Sequence, residues 1–382
     1  MSVTFLVTGG AGFIGTNFVY YLLRTYGDDV RIVVVDALTY AGNRANLDEA
    51  LTHENVSFVH ADINDLEAMN RVFAENNPDY VVNFAAETHV DRSIDSPRVF
   101  IETNVMGTHT LLQVALNAWR KGDGSFTDGK KFVQVSTDEV YGSLTRDFDT
   151  PCPIVLDEND KRVFAALRND TPAAYGEGFF SEETPLAPRS PYSAAKASAD
   201  MLVMAYSHTY GLPVNITRCS NNYGAYQFPE KLIPLVINNI LEARKLPVYG
   251  MGINVRDWLY VDDHCHAIDL VCRKGQLGEV YNIGGYNEKQ NIDIVRDIIG
   301  LVAEYTGTEP RYDLIEYVTD RAGHDMRYAI KPSKIAADLG WAPRTPFAEG
   351  IRETVAWYLA NRDWMSSVTS GAYSDYYRRM YK

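Results

Sequence analysis

Apolar residues gather in short, nearly unbroken runs along the first part of the chain. They are "VTFLVTG" at 3–9, "RIVVVD" at 31–36, "VSFVHAD" at 56–62, "YVVNFAA" at 80–86, "KFVQVS" at 131–136 and "LPVNITR" at 212–218. A strand with one wet face alternates apolar and polar residues. A run that stays apolar buries both faces, as strands do in a parallel sheet covered by helices. The stretches between the runs are long enough for crossover helices, which predicts an α/β, doubly wound sheet. Right-handed crossovers put every strand C-terminus on one edge. That edge would carry "TGGAG", Asp36, Asp62, "AAE" and "STDE", and ligands bind along it in such sheets.

The pattern fades from Gly142 to Pro191, where Pro, Gly and acidic residues dominate. This reads as a surface excursion with one short helix, either a lid over a site or a linker. After Tyr223 the chain turns rich in Pro, Gly and aromatics. Residues 1–223, with a return of roughly 256–275 to the sheet, are expected to form one unit. Residues 224–255 and 276–382 are expected to form a smaller C-terminal α/β unit, with helices at 291–306 and 346–361. There is no internal repeat or low-complexity tract.

Bulk numbers narrow the function classes only slightly. The 382 residues favour two units over one compact core. A net charge of -14 argues against non-specific binding to nucleic acid or anionic membranes. Cys152, Cys219, Cys265 and Cys272 form no Cys-x-x-Cys pair or zinc spacing, so no metal site is expected. No apolar run approaches the roughly 20 residues of a membrane span, and "MSVTFLVTGG" has no basic leader. A cytoplasmic setting is expected.

"TGGAGFIG" at 8–15 follows the first run and opens a helix. Gly9, Gly12 and Gly15 allow a tight turn, close approach of a pyrophosphate and a helix N-terminus facing its charge. Asp36 ends the second run about twenty residues on, where a carboxylate accepts from an adenosine ribose 2′-OH. Ala37 and Leu38 follow it and offer no Arg for a 2′-phosphate. The pattern predicts a Rossmann-type site for NAD rather than NADP, with Asp62 toward the adenine.

"SPYSAAKASAD" places Tyr192 and Lys196 four apart, on one helix face. An ammonium beside a phenol favours the phenolate, and such a tyrosine takes a hydroxyl proton while hydride leaves the same carbon. Glycine turn, Asp36, Ser136 and this pair together resemble the extended, sugar-nucleotide branch of the short-chain dehydrogenase/reductase superfamily. "DALTYAGNRANL", "STDEVYG", "CSNNYGAYQFPEKLIPL", "NVRDWLYVDDH", "YNIGGYNEKQNIDIV" and "DRAGHDMRYAI" narrow the resemblance to the dTDP-glucose 4,6-dehydratase family, from near residue 3 to near 374. Ala225 departs from it, since the family usually has Pro there. The excursion at 143–185 is longer than typical.

The chemistry of that family explains the paired acids. The C5 proton of glucose becomes removable only once C4 is a ketone. Loss of the C6 hydroxyl then needs a base at C5 and an acid at C6, beyond the tyrosine. Asp138 and Glu139 supply two carboxylates, but the chemistry alone does not say which is which. On a regular strand they would also face opposite sides. A plainer reading is that "STDE" caps the following turn. The resemblance implies Asp138 as acid and Glu139 as base, with Thr137 on the C4 oxygen.

The resemblance also implies the remaining contacts. Phe13, Ile14, Leu38, Thr39, Ile63, Ala85, Ala86, Thr103 and Ser136 would join the glycine turn around NAD, with Asn222 near its nicotinamide end. Thr88 would meet the hexose, and Asn221 and Asn291 would hydrogen-bond the substrate. Lys231, Arg256 and His324 would face its diphosphate or nucleoside, beside Leu232, Pro247 and Tyr249. His89 receives no role. A homodimer is implied by the same resemblance. Two other enzymatic readings share C4 oxidation: a UDP-glucose 4,6-dehydratase, and a nucleotide-sugar 4-epimerase or decarboxylase, which has no use for the second acid–base pair. A non-catalytic NAD-binding protein is a third class, disfavoured by the complete Tyr, Lys, Asp, Glu set.

Overall fold

The computed structural model describes residues 2–167, 172–321 and 323–369. Part of the excursion and residues 370–382 of the expected second unit lie outside the described residues. Strands β1 (Val3–Thr8), β2 (Val30–Asp36), β3 (Val56–His60), β4 (Tyr80–Asn83) and β5 (Lys131–Thr137) join Val214–Cys219 and Val280–Ile283 in a seven-stranded sheet. Its order is 280–283, 214–219, β5, β4, β1, β2, β3, and every pairing is parallel. The order reverses between β1 and β4, so the crevice at their C-terminal ends is the place for a ligand.

The unbroken apolar runs bury both faces of this sheet. Phe5, Val7, Ile32, Val34, Val133 and Val135 point to one side, under helices Phe13–Tyr26 and Val261–Lys274. Leu6, Val33, Val35, Val81 and Phe132 point to the other, under Leu66–Asn76, Thr108–Trp119 and Pro191–Tyr210. The polar Asn83 inside "YVVNFAA" is fully buried but satisfied. It accepts from Thr8 Oγ1 at 2.6 Å and donates to Gln134 Oε1 at 2.8 Å, cross-linking β1, β4 and β5.

All six runs become strands of this sheet, with ends displaced by a few residues. The seventh strand, "VYNI" at 280–283, is too short to carry a pattern of its own. The expected return at 256–275 differs in kind. Val255–Tyr260 belongs to a separate three-stranded sheet, parallel to Asn221–Tyr223 and antiparallel to Glu288–Gln290. Only the helix after it, Val261–Lys274, returns to the large sheet. It packs beside Phe13–Tyr26, and Arg24 pairs with Asp262 there.

A further core collects Ile233 and Val236 of helix Leu232–Leu241 with Ile294, Val295 and Ile298 of Asn291–Thr306 and Ile351 and Val355 of Phe347–Ala360. The expected helices at 291–306 and 346–361 are these last two. The first runs from an apolar stripe at helical spacing to a left-handed Gly307. No described helix is long and apolar enough to cross a membrane.

Among its described residues the excursion carries one helix, Glu158–Leu167. Buried Asp160 accepts from Tyr286 Oη at 3.0 Å and from Ser333 Oγ at 2.7 Å. Arg327, fully buried, pairs side-on with Glu288 and donates to the carbonyls of Gly176 and Gly178. These bonds strap the excursion to 286–288 and 327–333. Arg189, Ser190 and Pro191, at its C-terminal end, line the second cavity below, and its other described residues line neither.

Candidate active site

Two adjoining cavities open at the C-terminal edge of the large sheet. The first, of about 290 Å³, starts at the glycine turn. Gly9 sits at φ +66°, and a Cβ on it would fall 2.6 Å from the Ala85 nitrogen. A Cβ on Gly15 would fall 2.3 Å from the Gly9 carbonyl oxygen. Only glycine lets helix Phe13–Tyr26 start directly under the turn. That first turn carries no acidic residue, so its N–H groups face the cavity without competition for an anion.

Asp36 stands opposite this turn, 8% exposed. Its Oδ2 accepts from Ala11 N at 2.9 Å and its Oδ1 from Leu38 N at 2.7 Å. Burial raises its pKa, against the opposing pull of these two N–H groups. Each oxygen keeps a lone pair for a sugar hydroxyl. The cavity also touches Phe13, Ile14, Thr39, Asp62, Ile63, Ala85, Ala86, Thr88, Thr103 and Ser136. Leu38 is the one expected cofactor residue that does not line it. Its contribution is the backbone: φ of +52° turns its N–H back onto Asp36. The turn, the carboxylate and the glycine cradle fit a dinucleotide.

The second cavity, of about 540 Å³, shares Glu139, Asn221, Asn222 and Lys231 with the first. Leu232, Pro247, Tyr249, Arg256, Asn291 and His324 all line it. Thr88 does not; it faces the first cavity, and its carbonyl accepts from Lys231 Nζ at 3.0 Å. Arg256 is held by the carbonyls of Val255 (2.7 Å) and Asp325 (3.0 Å) and lies over the Tyr328 ring. His324 Nδ1 lies 2.6 Å from Asp320 Oδ1. Its pKa falls, first through burial and then through Arg256.

Several lining residues were missed. Arg321 pairs with buried Asp91, Glu230 binds Arg92 and Tyr40, and His89, Arg189, Gln227 and Tyr328 complete the wall. Arg321 and Tyr328 lie inside "DRAGHDMRYAI" and Glu230 inside "QFPEK", but nothing in their spacing distinguishes them from surface residues. In a protein of net charge -14, Lys231, Arg256 and Arg321 gather around one cavity.

The reacting groups meet where the cavities join. β5 ends at Thr137, and Asp138–Tyr141 winds into a 3₁₀ turn. The turn breaks the alternation that would send neighbouring carboxylates to opposite faces. Thr137 Oγ1 accepts from Glu139 N and donates to Asp138 Oδ1, both at 3.3 Å. The plainer capping reading of "STDE" is therefore correct for Thr137, and the cap is what orients the acids.

Their surroundings differ. Asp138 is 2% exposed, and its Oδ2 has no hydrogen-bond partner among the described residues. Burial raises its pKa well above its ordinary value, the charges of Glu139 and Asp257 raise it further, and Arg256 and Thr137 oppose the rise. Burial also raises Glu139, but Lys231, Arg256 and Arg321 all pull it back. One acid is held toward its neutral form and the other faces three cations.

Tyr192 and Lys196 occupy the first two turns of helix Pro191–Tyr210. Pro191 at its first position and a Ser190–Ser193 capping box fix its start. Both side chains are buried and line the first cavity. Burial raises Tyr192 well above its ordinary value and Glu139 adds to that, while Lys196 Nζ donates to the Val135 carbonyl at 2.6 Å.

Comparisons with known proteins agree with this geometry. The model of the NAD dependent epimerase/dehydratase family matches residues 5–284. The chain is 49% identical over 378 residues to dTDP-glucose 4,6-dehydratase 1 of Escherichia coli K12, covering 99% of this chain and 98% of that one. A crystal structure of dTDP-glucose 4,6-dehydratase from Bacillus anthracis in complex with NAD superposes with a TM-score of 0.78 at 47% identity, covering 96% of this chain and all of that one. A Streptomyces venezuelae dTDP-glucose 4,6-dehydratase, also with NAD bound, gives 0.80 at 44% identity with the same coverage. A glycine-turn cleft joined to a cationic cavity through two unlike carboxylates, with relatives this similar along nearly its whole length, places the chain in the NAD-dependent epimerase/dehydratase family, on the branch of the dTDP-glucose 4,6-dehydratases.

Proposed function

We propose that this chain is an NAD-dependent hydro-lyase that converts dTDP-glucose to dTDP-4-dehydro-6-deoxyglucose, a step toward rhamnose-type deoxysugars. The observation that carries the reading is the unlike pair Asp138 and Glu139 at the junction of the cavities. C4 oxidation alone, as in an epimerase, has no use for it.

The chemistry that NAD supplies when bound is a reversible hydride exchange: hydrogen leaves C4 and is returned at C6. Gly9, Gly12, Gly15 and Asp36 would hold it, and Lys196, Ser136 and Asn222 line the same cleft. Tyr192 Oη takes the C4 hydroxyl proton as its phenolate, the form that the Lys196 ammonium in the same cleft favours against burial, with Thr137 near the C4 oxygen. Glu139 then removes the C5 proton, which is now α to the ketone. Asp138 gives its proton to the departing C6 hydroxyl, which leaves as water. Glu139 returns a proton to C5 as C6 is reduced. Over the cycle one proton passes from Tyr192 to Asp138 through solvent, so the protein ends as it began. A positioned acid and a positioned base each contribute roughly 10²–10⁴ in rate.

The division of the chain follows this scheme. Residues 1–223 hold NAD. The later residues that line the second cavity, among them Lys231, Arg256, Asn291, Arg321 and His324, hold the nucleotide diphosphate. We read the chain as half of a homodimer in the cytoplasm. Ile94, Val99, Ile101, Met106 and Met201 are exposed on neighbouring helices, and such a face suits a second copy.

The test is to incubate the protein separately with dTDP-glucose and UDP-glucose and look for a 4-keto-6-deoxy product. Solvent deuterium at C5 with loss of the C6 oxygen is the expected outcome. Epimerised product with the C6 oxygen retained would overturn the reading, and turnover of UDP-glucose alone would reassign the nucleotide.

A further inference from the structure

Asp257 and Ser220 lie inside "NVRDWLYVDDH" and "CSNNYG", yet neither enters the mechanism above. Asp257 is 1% exposed and anchored on both oxygens. Oδ1 accepts from Asn287 N at 2.7 Å and Oδ2 from Gly285 N at 2.8 Å. The glycine pair of "YNIGGYNE" makes this possible. A Cβ on Gly284 would fall 3.1 Å from Asp257 Oδ2, and one on Gly285 2.2 Å from the Trp258 carbonyl oxygen. Burial raises the pKa of this carboxylate, and its two backbone donors oppose that rise.

Strand register carries this carboxylate to the reacting acid. Thr137 lies opposite Cys219 in the large sheet, and Trp258 lies opposite Asn221 in the three-stranded one. One step on from the first pair is Asp138; one step back from the second is Asp257. Asp138 and Asp257 are thus next in the chain to the partners of Cys219 and Asn221, the two neighbours of Ser220, where the chain passes between the sheets, and the charge of Asp257 acts on Asp138. Ser220 is 3% exposed, and its Oγ, like Asp138 Oδ2, has no hydrogen-bond partner among the described residues. Two unpartnered buried atoms beside an anchored anion need an explanation.

We propose that Asp257 and Ser220 are positioning residues that hold the proton on Asp138: protonated Asp138 Oδ2 donates to Ser220 Oγ, whose hydroxyl donates to the fixed Asp257 carboxylate. The proposal rests on Asp138 being the acid toward C6. The other groups around Asp138 are Glu139 on its own turn, Arg256 beside Asp257, Cys219 on strand Val214–Cys219 and Tyr192 on helix Pro191–Tyr210. Arg256 opposes the effect; Glu139 adds to it, but its charge is spent when it takes the C5 proton. Asp257 takes no part in proton transfer, so its field is constant through the cycle.

The test uses the holoenzyme with dTDP-glucose, following C4 oxidation and water elimination separately in single turnovers across pH. Removing the charge lowers the affinity of Asp138 for its proton. The alkaline limb of the elimination rate then moves to lower pH, by about one unit in Asp257→Asn, which is about a tenfold fall in the ratio of elimination to oxidation at pH above the limb. Ser220→Ala, a small change in a packed strand, shifts it the same way by less. In the Asp138→Asn background neither change slows elimination further, because they act through that carboxyl. An unmoved limb in Ser220→Ala and Asp257→Asn, or slowing that multiplies with Asp138→Asn, would overturn the proposal. If Asp257→Asn does not fold, the Ser220→Ala limb and its double variant decide alone. Absence of any product from wild type would instead overturn the dehydratase reading, so the two failures are separable.

Discussion

The cofactor cleft and the nucleotide cavity meet at Glu139 but are built in opposite ways. The cleft is local: a glycine turn and an Asp within one βαβ unit, Gly9 to Asp36, supply its main anion and ribose contacts. The cavity is collected from 89–94, 189–191, 221–235, 247–258, 291–295 and 321–328. Local geometry fails completely when one atom is added. A distributed cation set fails by degrees, since each member is one of several.

That contrast orders the expected effects. The junction should be the most sensitive point. Asp138→Asn is expected to cut elimination by roughly 10²–10⁴ while the bound cofactor is still reduced by substrate. Rapid-mixing absorbance checks it, and normal turnover would remove Asp138 from the acid role. Next is the cleft. Gly15→Ala drives a Cβ to within 2.3 Å of the Gly9 oxygen, so the helix must move away from the turn. A displacement near 1 Å costs about a hundredfold in activity, and the purified protein should carry less NAD by chromatographic assay. A variant as active and as NAD-loaded as wild type would mean the turn is not rigid.

The cavity should respond more gently. Arg321→Ala removes one of three cations and leaves Asp91 with His89 Nε2 at 3.9 Å. KM for the nucleotide sugar should rise about ten- to a hundredfold, with kcat changing less; an equal fall in kcat would tie Arg321 to the chemistry. The smallest effect on catalysis is expected farthest away. Met106→Glu with Met201→Glu should weaken self-association about a hundredfold, read by sedimentation. A variant that still sediments as the wild type would move the dimer contact elsewhere.

The same contrast explains what was legible beforehand. Asp36, the glycine turn and the six strands follow from rules that act over a few residues, so they could be read in order along the chain. Val280–Ile283 was missed because four residues carry no period. The fate of 255–260 was misjudged because an apolar strand does not say which sheet it will join; only its pairing with Asn221–Tyr223 does. Arg321 and Glu230 are a lone Arg and a lone Glu until Asp91 and Arg92 are packed against them. Ala225 illustrates the reverse. It departs from the family pattern, yet its carbonyl still accepts from Asn17 Nδ2 at 2.9 Å, a bond that either residue type can make.

By itself the sequence determined the doubly wound sheet, the glycine turn with Asp36, the Tyr192–Lys196 pair and the presence of two acids at the end of β5. These depend on period, spacing and residue type, which are properties of a segment. Tertiary structure decided how the acids differ. Asp138 lies against Glu139 and Asp257, and Glu139 faces Lys231, Arg256 and Arg321, all but one of them distant in sequence. Electric fields inside a protein depend on distance through space, so two adjacent carboxylates become unlike only after folding brings those charges beside them.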